Sequence, residues 1–147
     1  MDIAKCLSVI GSLCAGELPL EDGGSQAGAA GAGYRTVELE TSHETREDLA
    51  RTRERTAEDF QACRDAIAER LDHRWGRRAL WGQLTVRVRL SRGEEIPEPW
   101  ATLALLTDEL DLWQEPETGR WVALGVAHRD EADETRLLAT VTETPPP

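Results

Sequence analysis

Long apolar runs are missing from this sequence. No segment approaches the ~20 consecutive apolar residues of a membrane helix, so no bilayer span is expected. The run from Cys6 to Ala15 is preceded by only Asp2 and Lys5 as charges, a poor signal-peptide n-region, and Gly11-Ser12-Leu13 before Cys14 is a poor lipoprotein cleavage site. A soluble, cytoplasmic protein is the expectation. Aromatic residues are scarce: one Phe (Phe60) and one Tyr (Tyr34) accompany five Trp, so a core must come mostly from Leu, Val and Ala. Lysine is nearly absent. Lys5 stands alone among 17 basic residues, which fits the arginine-rich coding of a high-GC bacterium better than a design for phosphate.

Motifs that carry chemistry are also lacking. Cys6, Cys14 and Cys63 are an odd and widely spaced set, without the dense even framework of a small secreted protein. Together with His43, His73 and His128 they show no CxxC, HxxxH or carboxylate-His spacing that would preposition ligands, so neither a metal nor a cofactor is expected. A Ser-His-Asp set would need Ser91, His128 and Asp130, none of which lies in a nucleophile elbow. The glycines of GAAGAG, Gly28 to Gly33, have no apolar strand before them and no Lys-Ser/Thr after them, which excludes a phosphate cradle of the usual kind. The expectation is a non-catalytic protein, with an enzyme of unknown class using His128 kept as an alternative.

What the chain does have is polarised charge. Its net charge is −11, yet from His73 to Gly93 it carries six arginines (Arg74, Arg77, Arg78, Arg87, Arg89, Arg92) and no acid. From Glu94 to Glu143 thirteen acids face only Arg120, Arg129 and Arg136. Such polarity governs partners and encounter rates. With Trp75 and Trp81 to stack on bases, the Arg74–Arg92 seam is an alternative nucleic-acid surface. Acidic neighbours within a Debye length of ~10 Å would repel phosphate, however. The preferred reading is exposed pairing of the arginines with Asp108, Glu109 and Asp111, worth under about 1 kcal/mol for each pair.

At 147 residues the chain has the length of one domain. Ile3, Cys6, Leu7, Ile10, Leu13 and Cys14 recur at helical spacing, with Asp2 as N-cap and Gly16 as stop, predicting a short amphipathic helix within residues 1–20. Residues 21–33 are rich in Gly and Ala and read as a flexible linker. The helix can then dock on its own domain or on a partner, and residues 1–33 read as dispensable for folding. Residues 34–144 form a single α+β domain. Tyr34–Glu40 is extended and leads through a capping-box pattern, Thr41–Glu44, into a long amphipathic helix over 42–74 that carries Leu49, Thr52, Thr56, Phe60, Cys63, Ile67 and Leu71 on one face and closes at Gly76. Strands follow over 80–143. They are Leu84–Leu90, where the alternation is cleanest, Trp100–Leu106, a hairpin of Leu110–Gln114 and Trp121–Arg129 around EPETG, and Leu137–Val141. The predicted fold is this long helix packed in two layers on a four- to five-stranded antiparallel sheet.

Trp100, Trp113 and Trp121 fall on neighbouring predicted strands and Arg87 and Arg89 on one strand face; Trp and Arg are the residues most enriched in interface hot spots. With Ile3, Leu7 and Ile10 of the first helix, they are the candidate partner-binding residues. The expected function is that of a small protein-binding, regulatory or adaptor protein. The acidic hairpin fits a partner with a basic surface, as in toxin neutralisation, secretion chaperoning or mimicry of nucleic acid. The surplus of apolar helix surface fits a homodimer or a subunit of an assembly.

Overall fold

Valine and leucine at every second position of residues 121–127 settle the layering. In a computed structural model describing residues 3–16, 30–31, 33–41, 49–127 and 135–147, Val122, Leu124 and Val126 face one core and Ala123 and Ala127 another. A strand buried on both faces belongs in the middle of a covered sheet. The elements are α1 (Ile3–Ala15), β1 (Ala30–Gly31), β2 (Tyr34–Thr41), α2 (Leu49–Trp75), β3 (Ala79–Gly82), α3 (Leu84–Ser91), α4 (Trp100–Leu106), β4 (Glu109–Gln114), β5 (Trp121–Ala127) and β6 (Arg136–Thr142). The sheet is antiparallel with order β1-β2-β6-β5-β4-β3, so the last strand closes on the N-terminal β2. Helices α1 and α2 cover one face, and α3 and α4 the other. The fold is α+β, with three layers where two were expected.

The third layer arises because two predicted strands are helices. Residues 84–91 form α3 and residues 100–106 form α4. In α3 the inward positions are Gln83 and Val86, while Leu84 and Val88 remain 73% and 40% exposed. The alternation of apolar residues therefore does not follow burial. Eight residues are too few for periodicity to arbitrate between helix and strand. The need to cover Leu110, Leu112, Ala123 and Leu138 decides instead, and α3 and α4 supply Val86, Trp100, Leu103 and Ala104. Tertiary burial overrides the local strand preference.

Parts of other predicted elements lie where the pattern put them. Phe60, Cys63, Ile67 and Leu71 form the buried stripe of α2, and Gly76 closes that helix with φ +95° and its N–H on Asp72 O at 2.9 Å. The hairpin pairs Asp111 with Leu124 and Gln114 with Trp121. Its turn is held by Glu115, whose carboxylate accepts from the amides of Glu117 (2.9 Å) and Thr118 (2.8 Å). The Thr118 hydroxyl, these amides and Arg120 hold the Glu115 carboxyl below the usual range, against the effect of burial. Helix α1 packs on its own domain, burying Cys6, Ile10, Leu13 and Cys14 against α2 and the sheet. Within the predicted linker, Ala30 and Gly31 pair with β2. Residues 17–29 and 42–48, with most of the linker and capping box, lie outside the described residues, as do His128 and Asp130.

One glycine is required by close approach. A Cβ on Gly125 would lie 2.7 Å from Leu110 Cδ2, 3.2 Å from Glu109 O and 3.3 Å from Thr107 Cγ2. Gly125→Ala is expected to cost about 1–3 kcal/mol as an overpacking change, read as a lower denaturation midpoint. A cost near zero would mean that β4 shifts freely.

Candidate interaction site

Helices α1 and α4 have no basic residue in their last turns, and arginines from elsewhere complete both C-termini. The Arg87 Nε donates to Ala104 O at 2.6 Å, and its Nη2 donates to Thr107 O and pairs with Asp108 at 3.0 Å. Arg120 in the β4–β5 turn donates to Cys14 O at 2.9 Å and also to Leu13 O and Gly16 O. A cation on the terminal carbonyls of a helix satisfies orphan acceptors and opposes the negative end of the dipole. Arg87 is thus a clamp between α3 and α4, not a residue of a strand face. Arg87→Ala should cost about 1–2 kcal/mol, as expected for charge-assisted hydrogen bonds, more than for an exposed pair. A loss below a few tenths in a denaturant titration would show that water replaces the guanidinium without penalty.

A second arginine is buried between α2 and the sheet. Arg64 Nε donates to Asp111 Oδ2 at 2.9 Å and its Nη1 to Glu109 at 3.1 Å, with the Arg64 and Asp111 side chains 4% and 3% exposed. Burial, the largest influence on Arg64, pulls its pKa down; hydrogen bonds and charge from Asp111 and Glu109 outweigh it and raise the value. Arg78 Nε lies 3.5 Å from Asp111 Oδ1, and Asp72 joins Arg78 at 3.3 Å to the Trp113 indole N–H at 3.0 Å. The sequence carried a signal for this network that charge counting missed. Arg64 sits four residues after Phe60 and three before Ile67, on the apolar stripe, and Asp111 interrupts Leu110 and Leu112.

The arginine seam is in part internally paired. Arg78 meets Asp72 and Asp111, Arg87 meets Asp108, and Arg89 meets Glu94 at 3.5 Å. Arg74, Arg77 and Arg92 are exposed and form no ion pair among the described residues. The predicted tryptophan patch does not assemble: Trp113 is 3% exposed on the α2 face, Trp100 is 1% exposed on the α4 face, and Trp121 is half-buried with the latter core. Ile10 is fully buried, and Ile3 and Leu7 pack partly on the same core. Ser91 Oγ is engaged with Val88 O at 2.6 Å.

A cavity of about 410 Å³ opens between the ends of α1 and α2 and the β4–β5 turn, beside Cys14, Arg74, Trp75 and Glu115. Burial, with the Glu115 charge, pushes the Cys14 thiol up to about 11, so it stays protonated at neutral pH and offers no thiolate. Among the described residues no group of three His, Cys, Asp or Glu could hold a metal ion, and no helix is long and apolar enough to cross a membrane.

The apolar surface lies elsewhere. Leu80 (70% exposed), Leu84 (73%), Val88 (40%) and Leu105 (58%) are the large exposed hydrophobic side chains of the described residues. The first three fall within nine residues, on β3 and α3, at the sheet edge where β3 has β4 as its strand neighbour. Leu84 and Val88 share a face of α3 at i,i+4 spacing. These residues resemble core positions in the sequence, and only the inward turn of Val86 and Gln83 leaves them outside. Comparison with family models, curated proteins and solved structures finds no match to this chain.

Proposed function

We propose that the chain is a small non-catalytic protein-binding protein that docks through the β3 edge and the outer face of α3. The observation that carries this reading is the exposure of Leu80, Leu84 and Val88 beside an edge strand whose four residues, Ala79 to Gly82, include no charge and no proline. Natural sheets usually blunt such edges with charges or proline, and exposed apolar side chains flanking one edge, Leu80 on the α2 side and Leu84 and Val88 on α3, fit an interaction surface. The buried Arg64–Asp111 pair and the arginine clamps stabilise the platform behind this edge. A tagged chain in its source cell is expected to retain protein partners, whether another protein or untagged copies of itself. These should be lost from Leu80→Arg and Leu84→Glu variants that still unfold cooperatively. A capture profile unchanged by both substitutions would overturn the reading.

A further inference from the structure

The direction of the β3 amides defines what this edge offers. Gln83 N–H donates to Asp108 O at 3.0 Å, and the 83/108 pairing continues the register in which Ala79 meets Leu112 and Gly82 meets Glu109. Hydrogen-bonded pairs alternate with non-bonded ones along an antiparallel ladder. Residues 79 and 81 therefore turn their backbone groups to β4, while Leu80 and Gly82 turn theirs outward. No strand among the described residues pairs with that outer side. The Trp81 Nε1, buried on the same strand, has no acceptor among the described residues.

The side chains of β3 alternate between the two faces of the sheet. Leu80 pairs with Asp111, which lies under α2, so Leu80 and Gly82 face the α2 side. Trp81 packs in the core beneath α3 and α4, so Ala79 shares that face. A two-fold axis perpendicular to the sheet through Leu80 respects both the facing and the free amides. Leu80 then meets Leu80 of a second copy as a hydrogen-bonded pair, Ala79 meets Trp81, and Arg78, whose N–H is held by the Asp72 carboxylate at 2.8 Å, comes opposite Gly82 without donating to it. No like charges stand opposite each other. Arg78 stays with Asp72 and Asp111 of its own chain, and the exposed Arg77 of one copy comes level with Gln83, whose other neighbour is the 53% exposed Asp108. Two strand spacings of ~4.8 Å are within an arginine's reach. The arginine-rich segment is also where two chains of net charge −11 repel each other least.

We infer that the occupant of this edge is a second copy of the chain, paired β3 to β3 about Leu80, so that two sheets join into one and Leu80 is covered. This rests on the protein-binding reading above and names its partner. An isologous contact of this kind needs one self-complementary patch. Sedimentation equilibrium at micromolar concentration is expected to give the mass of two chains for the wild type and of one chain for Leu80→Arg, with cooperative unfolding kept in both. Leu80→Cys should form an intermolecular disulfide on mild oxidation, because hydrogen-bonded partners lie ~5.5 Å apart at Cα, within disulfide range. Leu105→Cys, exposed on α4, should not. A single-copy wild type that captures another protein in a Leu80-dependent way would remove the self-pairing and leave the protein-binding reading standing. A dimer indifferent to Leu80→Arg, or linked through Leu105→Cys instead, would place the contact elsewhere and overturn the inference. A single copy without Leu80-dependent capture would remove both.

Discussion

Asp111→Ala is expected to destabilise the protein by about 3–5 kcal/mol, the cost of leaving a buried charge without its partner. That is a large part of the about 5–15 kcal/mol by which native domains are stable. The substitution leaves Arg64, 4% exposed, with Glu109, whose side chain is 55% exposed. Arg78 loses a neighbour at 3.5 Å as well. Arg64→Met should cost less, because Arg78 still faces Asp111 and a methionine stem fills much of the space of the arginine stem. The double change Arg64→Met with Asp111→Leu should recover most of the Asp111→Ala loss, since an apolar pair of similar volume needs no counter-charge. Denaturant unfolding of the three variants orders them. An Asp111→Ala cost below about 1 kcal/mol, the range of exposed pairs, would mean that water reaches Arg64 and that the pair is not closed.

Ile10→Ala should cost about 2–5 kcal/mol, as large-to-small changes at fully buried sites do. Removal of residues 1–16 should abolish cooperative unfolding. Ile10 has no exposed surface, and Cys6, Leu13 and Cys14 share its core with Phe60, Ile67 and Leu71. Deletion also takes away the Leu13, Cys14 and Gly16 carbonyls that accept from Arg120. The expectation that residues 1–33 are dispensable rested on a glycine-rich segment transmitting no constraint. A flexible connection is no barrier to docking, because lengthening a loop costs only ~0.6 kcal/mol per doubling. Thermal unfolding followed by circular dichroism is the measurement. A truncated chain with an unchanged cooperative transition would return α1 to the status of an independent arm.

Local pattern alone determined several features. The stripe of Phe60, Cys63, Ile67 and Leu71, the stop at Gly76, the stripe of α1, the EPETG hairpin and the alternation of β5 and β6 each follow from a period or a turn residue within one segment, and all appear in the structure. The pairing of Arg87 with Asp108 was legible as charge complementarity, though the acceptors at the end of α4 were not. The tertiary structure decided the rest. For Leu84–Leu90 the choice between helix and strand depended on a sheet face that needed covering, formed by residues far along the chain. Whether Leu84 was core or surface hung on that choice. Arg64 and Asp111 carried no mark of their shared burial beyond a break in two apolar patterns, because they lie 47 residues apart and an ion pair depends on distance in space rather than in sequence. The open edge of β3, with Leu80 on it, exists only once the strand order is set, since which strand is last in a sheet is a property of the assembled ladder and of no single strand.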